Sequence, residues 1–495
     1  MADANSGTEA KTTCIRGADW VVAWNDASGR HEYLRGADVV FAGDRIVFVG
    51  RGYDGRSDVT LDGRGSCVMP GLVNIHSHPT NQPITRGVRE EFANPALYMT
   101  ALYDRTNLWH ADQDGLYYGA VVGYGELLAS GVTTVVDYAA RPPEGWIELM
   151  ARSGLRVYAG PAFRDADWRV ENGSHVVYDW DAERGRRQFD QAMTLVDAAI
   201  GHPSGRLGAI VAPAQVDTCL PQTLQQAAAI ARERGLMVQT HACQTVPEFQ
   251  EMTRRTGRTP IQWLDEIGFL GPHATIAHGI FIDEHPWTHW HTRTDLDLLA
   301  RSGTTVAHCP VVFSRYGHRL ESLGKYLRRG VNIGIGTDSA PHNMLEEMRQ
   351  ALVVSRLATV NAFDVSGGDA FTAATVGGAR ALRRDDIGRL RPGAKADLVL
   401  LDMNHPLMRP ARDPLRNLIY TAADRAVRDV YVDGRQVVAG GRVLTLDIEA
   451  ATARLEASQF RAERNVPRQD PDGRSGTELS PLTLPMDDAG GRGPR

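Results

Sequence analysis

The chain has 495 residues, 42% of them hydrophobic and 23% charged, with a formal net charge of −6. That apolar share suits a soluble globular protein, and no apolar run of about 18 residues is present, which excludes a membrane-spanning helix. Mild acidity without a basic cluster argues against nucleic-acid and anionic-membrane partners.

The first thirteen residues, MADANSGTEAKTT, lack the charged start and apolar stretch of a secretory leader. Residues 14–70 alternate β-branched and polar residues between glycine and aspartate turns, as short strands do. The same texture returns over residues 383–450, so the two segments are expected to share one small β-sandwich. Between them, residues 71–382 alternate eight apolar runs with helix-patterned stretches. The runs are GLVNIHSH, GVTTVVDYA, LRVYAGPAF, LGAIVAPA, LMVQTHAC, ATIAHGIF, TTVAHCPVV and VNIGIGTDS. Eight strand–helix units predict an α/β fold of the (β/α)8 TIM-barrel type. An open doubly wound sheet has the same periodicity, but polar residues gather at the C-terminal ends of the runs, where barrel sites form. Residues 451–495 are expected to give a C-terminal helix and then, from about 468, a flexible Pro/Gly-rich tail. The five cysteines (Cys14, Cys67, Cys219, Cys243, Cys309) are scattered and never spaced CxxC. They fit a reducing, cytoplasmic setting.

The chemistry is carried by residues at the strand ends. His76 and His78, two apart in PGLVNIHSHP, leave the same face of a strand. His241 ends the fifth run, His278 the sixth and Asp338 the eighth, so a barrel brings all five to one mouth. Neutral imidazoles with a carboxylate suit one divalent transition ion, Zn2+ first, with Mn2+, Fe2+ and Co2+ as alternatives.

These motifs, with VAHCPVV, GTDSAPHNMLEEMR and LRPGAKADLVLLD, resemble the amidohydrolase superfamily, in particular its triazine-hydrolase and S-adenosylhomocysteine-deaminase-like branch. The resemblance spans nearly the whole chain and implies a (β/α)8 barrel joined to a β-sandwich from both termini. It implies that His76, His78, His241 and Asp338 bind the metal, with Asp338 also acting as base. His278 would stand beside the activated water and stabilise the oxyanion. Two-metal members use a carboxylated lysine on strand four. This chain has no lysine between Lys11 and Lys325, so a mononuclear site is expected. The resemblance also implies a homo-oligomer acting on a small molecule.

Deaminases of this branch show His-x-x-Glu where this chain reads HACQ, ending in Gln244. A neutral amide offers hydrogen bonds but cannot shuttle a proton. The pattern is most similar to the phenylurea and molinate hydrolases, so the expected reaction is C–N cleavage in a urea or carbamoyl compound. The alternative is an aminohydrolase of a triazine or purine-like ring. Gln244 and His308 are the candidate substrate contacts. Phe92, Tyr98, Tyr103, Trp109 and Trp287 are candidate pocket walls, and DEHPWTHWHTRTD, with His285, His289, His291 and Trp290, is expected to loop over the mouth.

Overall fold

In the computed structural model the chain is described over residues 11–104 and 108–486. Eight parallel strands pair in sequence order: β1 (Leu72–Ser77), β2 (Val132–Ala139), β3 (Arg156–Phe163), β4 (Leu207–Pro213), β5 (Met237–Ala242), β6 (Ala274–His278), β7 (Thr305–His308) and β8 (Asn332–Ile335). All eight apolar runs of the sequence become these strands. Their residues are almost all buried, as a sheet covered on both faces requires. Between β8 and β1 the ladder shrinks to one isolated bridge, Ser77 to Asp338. Two backbone bonds reinforce it: His78 N donates to Asp338 O at 2.8 Å, and Asp338 N to His76 O at 2.9 Å. Gly336 permits this approach, since a Cβ there would lie 2.6 Å from the His76 carbonyl oxygen.

The terminal segments form a nine-stranded sheet that mixes Thr12–Asn25, Arg30–Ala42, Arg45–Gly50, Val59–Asp62 and Ser66–Pro70 with Leu398–Asp402, Val427–Val432, Arg435–Ala439 and Arg442–Val443. It packs a core of its own around Ile15, Val39, Phe41, Val68, Leu398 and Leu400. The fold is therefore an α/β barrel joined to a β domain built from both ends. A buried ion pair bolts the two together. Arg156 of β3 lies 3.2 Å from Asp397 and 2.5 Å from Asp433, both beside strands of the terminal sheet.

Three helices position the mouth. Helix α1 (Gln113–Ala129) opens on Asp112, whose carboxylate accepts from Gly115 N. Its Gly119 lets the chain after β1 pass close by, for a Cβ would meet the Thr80 carbonyl at 2.7 Å. Helix α2 (Val246–Thr256) follows β5. Helix α3 (Ile448–Gln469) lies along α1. The stretch after α3, expected to be flexible from 468, is docked instead as far as 486. Asp470 is buried, and the Ser480 hydroxyl donates to Val88 O at 2.9 Å. The rest of that tail, 487–495, and the first ten residues lie outside the described residues. Among the described residues no helix is long and apolar enough to cross a membrane.

A hairpin that the sequence reading did not anticipate, Ala166–Glu171 with His175–Trp180, stands between β3 and the next helix. Its Trp168 indole and Tyr178 hydroxyl both donate to Asp217. At its tip, Gly173 O accepts from Asn94 in the segment after β1.

Candidate metal centre

The five strand-end residues come together, with His78, His241 and Asp338 lining one pocket and His76 and His278 buried beside them. His76 Nε2 and His78 Nε2 lie 3.2 and 3.1 Å from the same oxygen, Asp338 Oδ1. The ring centroids of His76 stand 4.8 Å from those of His78 and of His241, and 5.1 Å from that of His278. Donor atoms of His76, His241, His278 and Asp338 all lie within 4.8 Å of one another, close enough to share one ion. Among the described residues this is the one such cluster.

Three of the imidazoles are aimed by what holds their other nitrogen. His76 Nδ1 pairs with Gln239 Oε1 at 2.8 Å, and Gln239 in turn donates to Ile75 O. His78 Nδ1 donates to Tyr138 O at 2.6 Å, and His241 Nδ1 to Ala214 O at 2.7 Å. Each Nδ1 is thereby occupied and each Nε2 turned toward the cluster, the orientation metal-ligating histidines need. His278 differs: both its nitrogens are buried and neither has a partner. Buried polar atoms are rarely left so. These orphaned donors, beside a buried carboxylate, fit a bound divalent ion. Burial and the neighbouring imidazoles lower the pKa of His241 and His278, keeping them neutral. At Asp338 burial is outweighed by the hydrogen bonds of His76 and His78, which hold the carboxyl far below its usual range. At His78 the same carboxylate outweighs burial and draws the pKa upward.

Backbone strain concentrates here. His278 has φ of 81° and Asp338 of 53°, conformations costing non-glycine residues about 1–3 kcal/mol and found where function over-determines the chain. Cys243, at φ 55°, turns the chain after β5. Glu248 of α2 grips that turn, accepting from Cys243 N at 2.6 Å and Gln244 N at 2.9 Å. Gln244 thus reaches the pocket with its Oε1 held by Gln215 Nε2 at 2.9 Å, which leaves its own NH2 for a ligand.

His308 is buried and does not line the pocket; burial lowers its pKa to about 4. Trp287 stacks on Phe281 and Trp290 packs on Phe249, so neither walls the cavity. Trp109 does line it, with Phe92 packed edge-on behind. Tyr103 is tied to Thr245, while Tyr98 is exposed. The far wall, missed in the sequence, is made by Arg141, Arg164 and Trp168 after β2 and β3. Its signal was polar residues at the ends of those runs, in AARPP and FRDADW.

The amidohydrolase family profile matches residues 67–437. A 5-methylthioadenosine/S-adenosylhomocysteine deaminase of Thermococcus kodakarensis is 30% identical over 81% of this chain and 89% of its own. A 5'-deoxyadenosine deaminase of Methanosarcina mazei is 28% identical over 88% and 95%. Among solved structures, the zinc complex of atrazine chlorohydrolase from Arthrobacter aurescens TC1 superposes with a TM-score of 0.76. It is 23% identical and covers 90% of this chain and 100% of that one. These relatives are deaminases and a triazine hydrolase, not phenylurea or molinate hydrolases. With the family matched across most of its length and one cluster of imidazoles and carboxylate at the barrel mouth, the chain belongs to the amidohydrolase family and is a metal-dependent hydrolase.

Proposed function

We propose that the protein removes an amino group from a nitrogen heterocycle of the purine or triazine type, using one divalent ion, Zn2+ first. The observation that carries this is the convergence of three imidazoles and a carboxylate, with His78 against the same carboxylate oxygen, in a chain whose curated relatives are adenosine-type deaminases over most of their length. In this reading His76, His78, His241 and Asp338 hold the ion. When bound, the ion supplies Lewis acidity that makes water a nucleophile near neutral pH. Asp338 takes the proton of the attacking water and returns it to the leaving nitrogen. Addition to the ring carbon moves an electron pair onto the adjacent ring nitrogen, and His278 would stand beside the attacking water and hold it toward that carbon. Gln244 donates its N–H to a ring nitrogen, orienting the ring without protonating it.

A second reading rests on Gln244 itself. An amide donor suits a carbonyl oxygen as well as a ring nitrogen, so cleavage of a urea or carbamoyl C–N bond is the competing reaction. Product analysis of zinc-loaded enzyme separates them, with 5'-methylthioadenosine, an aminotriazine, a dimethyl phenylurea and a thiocarbamate as substrates. Ammonia from either ring compound is the expected outcome, and Gln244→Glu should raise that rate by about tenfold or more by restoring a proton carrier. Aniline from the phenylurea with no ring turnover would replace the first reading with the second.

A further inference from the structure

The C-terminal end of the chain carries apolar surface that its own fold leaves uncovered. Leu482, Leu484 and Met486 stand 59%, 74% and 73% exposed in the run PLTLPM. They fall at every second position, so an extended chain turns all three to one side. Pro481 and Pro485 favour that conformation, because each fixes its own φ and keeps the residue before it out of the helical region. Single apolar residues on a surface are ordinary, but a contiguous apolar edge marks a binding site.

Helix α3, a few residues upstream, presents a surface that matches them. Ala457, Phe460, Arg464 and Pro467 follow one another at the three- and four-residue steps of a single helix face, and Phe460 is 58% exposed. Between this face and the stretch 475–477 runs an open groove of about 780 Å³. Gly476, buried, lies on its floor, where a Cβ would meet Glu463 Cγ at 3.0 Å and Trp109 Cζ2 at 3.2 Å. The same Trp109 lines the substrate cavity, so the groove is the back of that wall. The charges match as well. Arg461 is spent on Asp112 and Asp114. Arg464 and, one turn on, Arg468 are exposed and form no ion pair among the described residues. In the sequence the apolar run is followed directly by Asp487 and Asp488. An apolar stretch ending in two carboxylates thus corresponds to an apolar groove ending in two guanidinium groups.

The chain's own run is kept out of this groove. Ser475 and Glu478 cap the turn Gly476–Leu479 reciprocally, and the Ser480 hydroxyl is bonded to Val88 O at 2.9 Å. With both fixed, Pro481 alone would have to reverse the chain to bring Leu482 back, and its φ is locked. A second copy is free of that constraint. We propose that the protein forms a two-fold dimer in which the run 481–488 of each copy lies in the α3 groove of the other. Leu482, Leu484 and Met486 cover Phe460 and its apolar neighbours, and Asp487 and Asp488 reach Arg464 and Arg468. Each copy gives what it receives, so the exchange closes on itself and stops at two.

The test uses the full-length chain, followed by sedimentation velocity over a range of concentrations. A species of twice the 54.2 kDa chain mass is expected. Ending the chain after Ser480, or Phe460→Asp, should weaken that dimer by at least about tenfold, the worth of one well-covered apolar side chain. Both changes touch exposed side chains only, and an unaltered circular-dichroism spectrum checks the fold. Arg464→Glu with Arg468→Glu should also weaken the dimer, and adding Asp487→Arg with Asp488→Arg in the same chain should restore it. The oxidised double variant Phe460→Cys, Leu484→Cys should run as a disulfide-linked dimer, since the five native cysteines are all buried. A full-length monomer, a dimer equally tight without residues 481–495, or no recovery on exchanging the charges would overturn the proposal. A disulfide closed within a single chain would assign the groove to the chain's own tail and overturn it too.

Discussion

The two sides of the mouth are built on different terms. On the imidazole side every donor belongs to a strand or sits within three residues of one, and three rings are held from behind by Gln239, Tyr138 O and Ala214 O. On the arginine side Arg141 and Arg164 follow β2 and β3 just as closely, but they stand beside a hairpin and partly in solvent. Catalytic geometry has to be kept to a fraction of an ångström, so it is fastened to the ladder. The facing wall has no such tolerance to meet and rests on elements that change freely.

Breaking the imidazole side should do the most damage. Asp338→Asn removes the base and the charge that orders His76 and His78, and kcat should fall by about 10³-fold or more even in protein with a full complement of metal. Near-normal turnover in that variant would show that another group moves the proton. Gln239→Leu leaves every donor in place but frees the back of His76. A loss of metal affinity of about 10–100-fold is expected, read by competition with a chelator, with kcat recovering at saturating metal. Arg156→Met lies outside the mouth and should spare it. The variant strands buried Asp397 without its cation, at a cost of about 3–5 kcal/mol in thermal or denaturant unfolding. Activity per folded molecule should stay within about twofold, and a larger fall would mean that the terminal sheet shapes the mouth.

The same contrast explains what could be read in advance. The eight strands and the convergence of His76, His78, His241, His278 and Asp338 follow from local patterns, because a strand end in a barrel has only one place to point. The hairpin over 166–180 was legible too: Asn172-Gly173 between alternating residues marks a tight turn, and both residues take positive φ, 53° and 68°. It was absorbed into the strand–helix alternation and so lost. Trp287 and Trp290 misled because a ring in a loop can lie on a neighbouring ring instead of facing a cavity: Trp287 stacks on Phe281 and stays exposed, and Trp290 packs on Phe249. His308 ends a strand like its neighbours but is covered over. The segment beyond 468 has the composition of a free tail, yet the contact of Ser480 with Val88 holds it against the chain after β1.

The joint between the first and last strands has a consequence for how the protein is made. Elsewhere round the barrel, neighbouring strands are stitched by runs of paired residues, but β8 and β1 meet only at Ser77 and Asp338. His76 and His78 stand on one side of that seam and Asp338 on the other. An ion held by all three would close the ring as a clasp closes a bracelet, and its binding energy would then count toward folding as well as toward reaction. A chain that acquired its metal there would by the same event finish its barrel, and the supply of that metal would become a condition on the protein's lifetime.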